Sequence, residues 1–184
     1  MSPGSSRKAF PLPVWSAIAC EMKRRDHTQM ALYTMMGVSA YTRPSELLRC
    51  RVFSLIKPSP RVTEHWCLLL NPEEHPARSK TGTFDDSLVL DSAYLRPWSA
   101  PLMRQLTSRP NNQMLWDFDY GQYAKVFGQI ARQMGIDITP YQLRHSGPSI
   151  DRSRNSRSLL EVQKRGRWKS HKSVARYEKS GRLA

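Results

Sequence analysis

Between residues 61 and 91 the chain changes its hydrophobic period, and this constrains its fold more than any other feature. On both sides apolar residues recur every three or four positions, as on one face of a helix. Inside the window they cluster in short β-rich runs. Trp66, Cys67 and Leu68 to Leu70 predict one strand, residues 77–80 a second, Thr81-Gly82 a turn and residues 87–90 a third. The expected class is therefore α+β, mainly α-helical, with a small three-stranded antiparallel sheet set between two helical blocks.

The first block opens after a loose tail, residues 1–13, rich in Ser, Gly, Pro and basic side chains. Val14, Trp15, Ile18, Ala19 and Met22 predict a helix, and Lys23 to Arg25 suit its C-terminus. A second is expected over residues 27–36, ended by Gly37, with Met30, Met35 and Met36 as core filler. Pro44 fits the first turn of a third, because its missing N–H has no partner there, and Glu46 suits the same end of the helix dipole. The proline also holds Arg43 extended just ahead of that helix. Leu47, Leu48, Val52, Phe53 and Leu55 would supply the core face. After the sheet, helices are expected over residues 93–106, with Pro97 and Pro101 making the start irregular, and over 120–134, closed by Gly135. Three more follow at 141–152, 158–165 and 170–179. Residues 14–184 thus read as one domain, and 184 residues suffice for a real core.

Charge narrows the partner. The chain carries a net charge of +14 with a pI of about 10.2. From Tyr141 onward twelve Lys and Arg face three acids, whereas a merely solvated surface mixes the signs. A polyanion, with binding driven by counterion release, explains this better. No stretch nears the about eighteen apolar residues of a membrane span, and MSPGSSRKAF lacks the apolar core of a signal peptide, so neither membrane nor secretion is expected. Cys20, Cys50 and Cys67 are odd in number and widely spaced, which predicts reduced thiols in an intracellular setting. His65, Cys67 and His75 have no second ligand pair at zinc spacing, so no metal and no cofactor is expected.

Four short motifs stand in order: RPSEL from Arg43, YQLRHS from Tyr141, GRWKS around Trp168, and RYEKS at Tyr177. Together they resemble the catalytic signature of the tyrosine recombinase (phage integrase) family. Arg43, Glu46 and Leu47 match its first motif. Arg144 matches the arginine of its His-x-x-Arg motif, with Tyr141 where His is usual. Trp168 precedes Tyr177 by the family's nine residues, and Lys80 matches its hairpin lysine in kind and place. The likeness runs from about Val14 to Gly181 and implies the recombinase catalytic fold.

The resemblance implies that Tyr177 attacks a DNA phosphate, giving a 3′-phosphotyrosyl link and a free 5′-hydroxyl. Arg43 and Arg144 clamp the phosphate, Lys80 protonates the leaving oxygen, Trp168 donates its indole N–H, and Glu46 orients its neighbours. The chemistry asks for such residues on its own account. Rejoining without water needs a covalent nucleophile that stores the broken bond. Arginine holds non-bridging oxygens in a bidentate fork that lysine cannot reproduce. Arg165, Arg167, Lys169, Lys172 and Arg176 are the expected DNA contacts. The expected partner is double-stranded DNA, with homo-oligomerisation on DNA left open, and neither a membrane nor a small-molecule substrate is expected. The location would be intracellular and DNA-associated, in a nucleus or a bacterial cytoplasm.

Tyr141 is the main departure, because a phenol stays protonated where a histidine accepts a proton near neutral pH. His145 is a substitute base by composition, yet one step along a helix turns it about 100° from Arg144. The resemblance also implies an N-terminal clamp domain where only some thirteen loose residues stand, so a fragment, a solitary catalytic domain and a mobile-element remnant are all open expectations. These departures favour one alternative, a catalytically impaired or domesticated DNA-binding domain of a mobile element; the shared chemistry leaves another, a type IB topoisomerase-like enzyme that relaxes DNA without sequence choice.

Overall fold

The structure, a computed structural model, describes residues 8–61, 63–70 and 87–178. Its helices are α1 Leu12–Arg24, α2 Thr28–Ala40, α3 Pro44–Leu48, α4 Ser99–Thr107, α5 Tyr120–Gln133, α6 Leu143–Ser153, α7 Leu159–Arg165 and α8 His171–Val174. Strands β1 Leu55–Ile56, β2 Cys67–Leu69 and β3 Ser87–Val89 lie between α3 and α4. The class is α+β and mainly helical, as the periodicity predicts.

Helix α2 is the centre of the molecule. Eleven of its thirteen residues are buried, and a helix apolar all round must be covered all round. Helices α1 and α6 pack on it, and α5 packs on α1. Gly37, expected to end this helix, sits inside it instead. A Cβ there would stand 3.2 Å from Leu143 Cδ1, so the missing side chain lets α6 come close. The true stop is Tyr41, whose φ of 55° is left-handed.

Helix α1 starts at Leu12, inside the expected tail, because Pro13 is tolerated in a first turn. Just before it the Phe10 N–H donates to Ser146 Oγ at 3.0 Å, tying this segment to α6.

The sheet has the order β1-β2-β3 and is antiparallel throughout. Leu55, Leu68 and Leu88 align across it and are buried, while the adjacent row, Ile56, Cys67 and Val89, faces outward. The first strand is not the expected one. Leu55, read as a helical core residue, leaves the helix because the backbone N–H groups of Val52 and Phe53 bond instead to the carbonyls of Gln113 and Asn111. The strand expected at residues 77–80, the Thr81-Gly82 turn and Lys80 lie outside the described residues.

In the second block α4 begins at Ser99, six residues later than expected. Pro101 still falls in the first turn, where no backbone donor is missed. Asp119 caps α5 by accepting the Gln122 N–H at 2.8 Å, while Gln122 accepts the Asp119 N–H at 2.9 Å. Gly135, at φ 67°, closes that helix. Ser158 and Glu161 cap α7 in the same reciprocal way. The single helix expected from residue 170 is instead the four-residue α8 followed by a 3-10 turn, Ala175–Tyr177. No described helix is long and apolar enough to cross a membrane.

Candidate active site

Arg43 is held by the start of α3. Its backbone is extended, as the following proline requires, and its N–H donates to Glu46 Oε2 at 2.8 Å. Its guanidinium reaches Glu46 Oε1 at 3.1 Å while half of the side chain stays open to solvent. Glu46 is buried and also takes Nη2 of Arg167 at 2.9 Å. Burial alone would raise its pKa. The Arg167 charge, the Arg43 N–H, Arg144 and the Arg43 charge outweigh that and hold the carboxyl below its ordinary value.

Arg144 comes from the first turn of α6 and is only 4% exposed. Nη1 donates to the Tyr41 carbonyl at 2.8 Å and Nη2 to the Gly166 carbonyl at 2.9 Å. Its guanidinium also covers the Trp168 ring at 4.5 Å. Burial, then the Arg43 charge, lowers its pKa to about 10 against the pull of Glu46, so it remains charged at neutral pH.

Trp168 is positioned by a bend at Gly166 and Arg167, the latter in the left-handed region at φ 58°. A Cβ on Gly166 would meet Trp168 Cζ3 at 1.8 Å, so only glycine fits under this ring. On its other sides Trp168 meets Tyr177 at 5.6 Å and Tyr41 at 6.3 Å between ring centroids. Tyr177 is buried in the 3-10 turn after α8, among Tyr41, Val162 and Val174. Its hydroxyl lies 2.6 Å from Nδ1 of His145. Burial raises the phenol pKa, opposed by Arg176 and Arg144.

The fold thus brings Arg43, Glu46, Arg144, His145, Trp168 and Tyr177 into one site, although α3 and the C-terminal turn are far apart in sequence. Tyr141 stands at its edge, 40% exposed, with its ring centroid 5.9 Å from that of His145.

The five expected DNA contacts divide. Lys169, Lys172 and Arg176 are exposed. Arg167 faces Glu46, and Arg165 turns into the core, where Nε donates to the Ser39 carbonyl at 2.7 Å and Nη2 lies 3.7 Å from Asp91. A buried guanidinium with these partners holds α7 to α2, so Arg165 presents no face to a duplex.

Two supports escaped the sequence reading. Tyr41 donates its hydroxyl to Asp151, which also takes Nε of Arg157 at 3.1 Å, while Arg157 Nη2 pairs with Asp91. Gly166 is the second. Its place two residues before an aromatic was visible, but the ring folding back over it was not. Among the described residues no three His, Cys, Asp or Glu side chains gather as a metal ion would need. Comparison with protein-family models, with curated proteins and with solved structures found no match.

Proposed function

We propose that the chain cleaves and rejoins DNA strands through a 3′-phosphotyrosyl intermediate, as the catalytic domain of a tyrosine recombinase. The observation that carries this reading is the convergence of Arg144, Trp168 and Tyr177, with Arg43 beside them from the other end of the chain. Ordinary surface arginines and packing aromatics have no need to meet in this way.

In this reading Tyr177 attacks the scissile phosphorus and the 5′-oxygen leaves. Arg43 offers its exposed fork to a non-bridging oxygen. Arg144, its two Nη groups held by the Tyr41 and Gly166 carbonyls, contributes a fixed positive charge beside the same group rather than the free fork expected of it. Tyr141 donates a hydrogen bond from the rim, and Lys80 protonates the leaving oxygen. Lys169, Lys172 and Arg176 attract the duplex. Such a protein acts where DNA is, inside a cell and without a cofactor.

A second reading, a DNA-binding domain that does not cut, draws on the burial of the Tyr177 hydroxyl against His145. Incubation with a pool of nicked suicide duplexes of randomised sequence, followed by SDS gels, separates the two. The cleavage reading expects an SDS-stable protein–DNA adduct that Tyr177→Phe abolishes while duplex binding persists. Binding with no adduct from the wild-type chain, or an adduct that survives Tyr177→Phe, overturns it.

A further inference from the structure

Tyr177 needs somewhere to put a proton. A free phenol has a pKa of about 10, and burial raises that of Tyr177 further. Water at neutral pH is a poor acceptor for it. The rotation of about 100° per residue that takes His145 away from Arg144 delivers it to the nucleophile. Nδ1 lies 2.6 Å from the Tyr177 hydroxyl, the ring planes are inclined by 29°, and both side chains are buried. Tyr141, one turn earlier, meets the same imidazole at 5.9 Å between ring centroids.

We infer that His145 is the general base that takes the Tyr177 proton in strand cleavage and returns it in rejoining, an inference that rests on the cleavage reading above. In cleavage the bond from the Tyr177 oxygen to phosphorus forms as the phenolic proton passes to Nδ1 of a neutral His145 whose other ring nitrogen keeps its own. The bond from phosphorus to the 5′-oxygen breaks, its electron pair stays on that oxygen, and the general acid Lys80 supplies the proton that completes the hydroxyl. Rejoining reverses each transfer: the 5′-hydroxyl attacks, the Tyr177 oxygen leaves, and the imidazolium reprotonates it. His145 touches the reacting oxygen and so is catalytic rather than positioning.

The test follows adduct formation on the same randomised nicked duplexes at neutral pH, for the wild type, His145→Ala and His145→Gln. General-base catalysis contributes about 10²–10⁴-fold, so both variants should slow by that order with duplex binding retained, and added imidazole should restore part of the rate of His145→Ala only. A folded variant of either kind that forms adduct at the wild-type rate overturns the inference and leaves cleavage intact. A wild-type chain without adduct fails the cleavage reading itself, and the base assignment with it. Should both variants unfold, the ¹⁵N shift of His145 Nδ1 decides. Tyr177→Phe must move it, and an unmoved signal overturns the contact on which the inference stands.

Discussion

Arg144 donates to the carbonyl of Gly166 at 2.9 Å while its guanidinium covers Trp168 two residues further on. One residue thus supplies the acceptor that fixes the arginine and the empty space in which the stacked ring lies. Gly166 has φ of −81°, so its backbone suits any residue and only the missing Cβ matters. Gly166→Ala would set a methyl 1.8 Å from Cζ3 and 2.1 Å from Cε3 of Trp168. The ring must move, at about 1–3 kcal/mol for overpacking, and it takes the Arg144 stack with it. Urea unfolding should show the loss, near-UV circular dichroism should show the moved tryptophan, and adduct formation should fall.

Much of this site was readable in the chain, for reasons that differ by residue. Pro44 restricts the residue before it whatever the tertiary context, so the extended Arg43 and the start of α3 follow from local sterics. The caps of Asp119 with Gln122 and of Ser158 with Glu161 are equally local, yet they came to light only in the structure. What else escaped depends on neighbours distant in sequence. Gly37 resembles a helix stop until Leu143 packs against it. Leu55 resembles a helical core residue until Leu68 pairs with it. Arg165 counts as one more positive charge until Ser39 accepts from it in the core. His145 is a candidate base whose angle of about 100° from Arg144 counts against it until the 3-10 turn after α8 packs on α6 and brings the Tyr177 phenol to it.

Glu46 gives the site a pH signature. Its folded pKa lies below the ordinary carboxylate value, chiefly because Arg167 and the Arg43 N–H outweigh burial. A depressed pKa contributes stability that is present above the unfolded value, about 4.3, and is lost as pH falls through the folded one. Glu46→Gln removes that contribution and leaves Arg43, Arg144 and Arg167 facing one another without a counter-charge. The variant should be less stable than wild type at neutral pH, and the two urea midpoints should converge as pH falls through the folded pKa of Glu46. A gap that stays constant into acid would contradict the ion pair.

Tyr41 ends α2 in a left-handed turn and spends its hydroxyl on Asp151, which Arg157 also holds. Hydrogen bonds to charged groups contribute about 1.5–3 kcal/mol, and the carboxylate here is buried. Tyr41→Phe keeps the ring packing and the carbonyl that Arg144 uses but deletes that donor. Thermal unfolding should report a loss of this size, and Asp151→Asn in the Tyr41→Phe background should add less than it does alone, because the two share one interaction.

Two basic residues seven apart should behave in opposite ways. Lys172 is exposed on α8, whereas Arg165 is 8% exposed and donates into the core at Ser39 and towards Asp91. If Lys172 meets a phosphate, Lys172→Ala reduces the slope of log affinity against log salt by about 0.9, weakens all sequences alike and leaves the unfolding midpoint in place. Arg165→Ala does the reverse. It strands the Ser39 carbonyl while Asp91 keeps Arg157, lowers stability by about 1–3 kcal/mol through an unsatisfied buried acceptor, and leaves the salt slope of the folded protein unchanged. Measuring both quantities on both variants therefore separates attraction to DNA from the charge that holds α7 in place. A salt slope that falls on Arg165→Ala with no change in stability would return that residue to the DNA face.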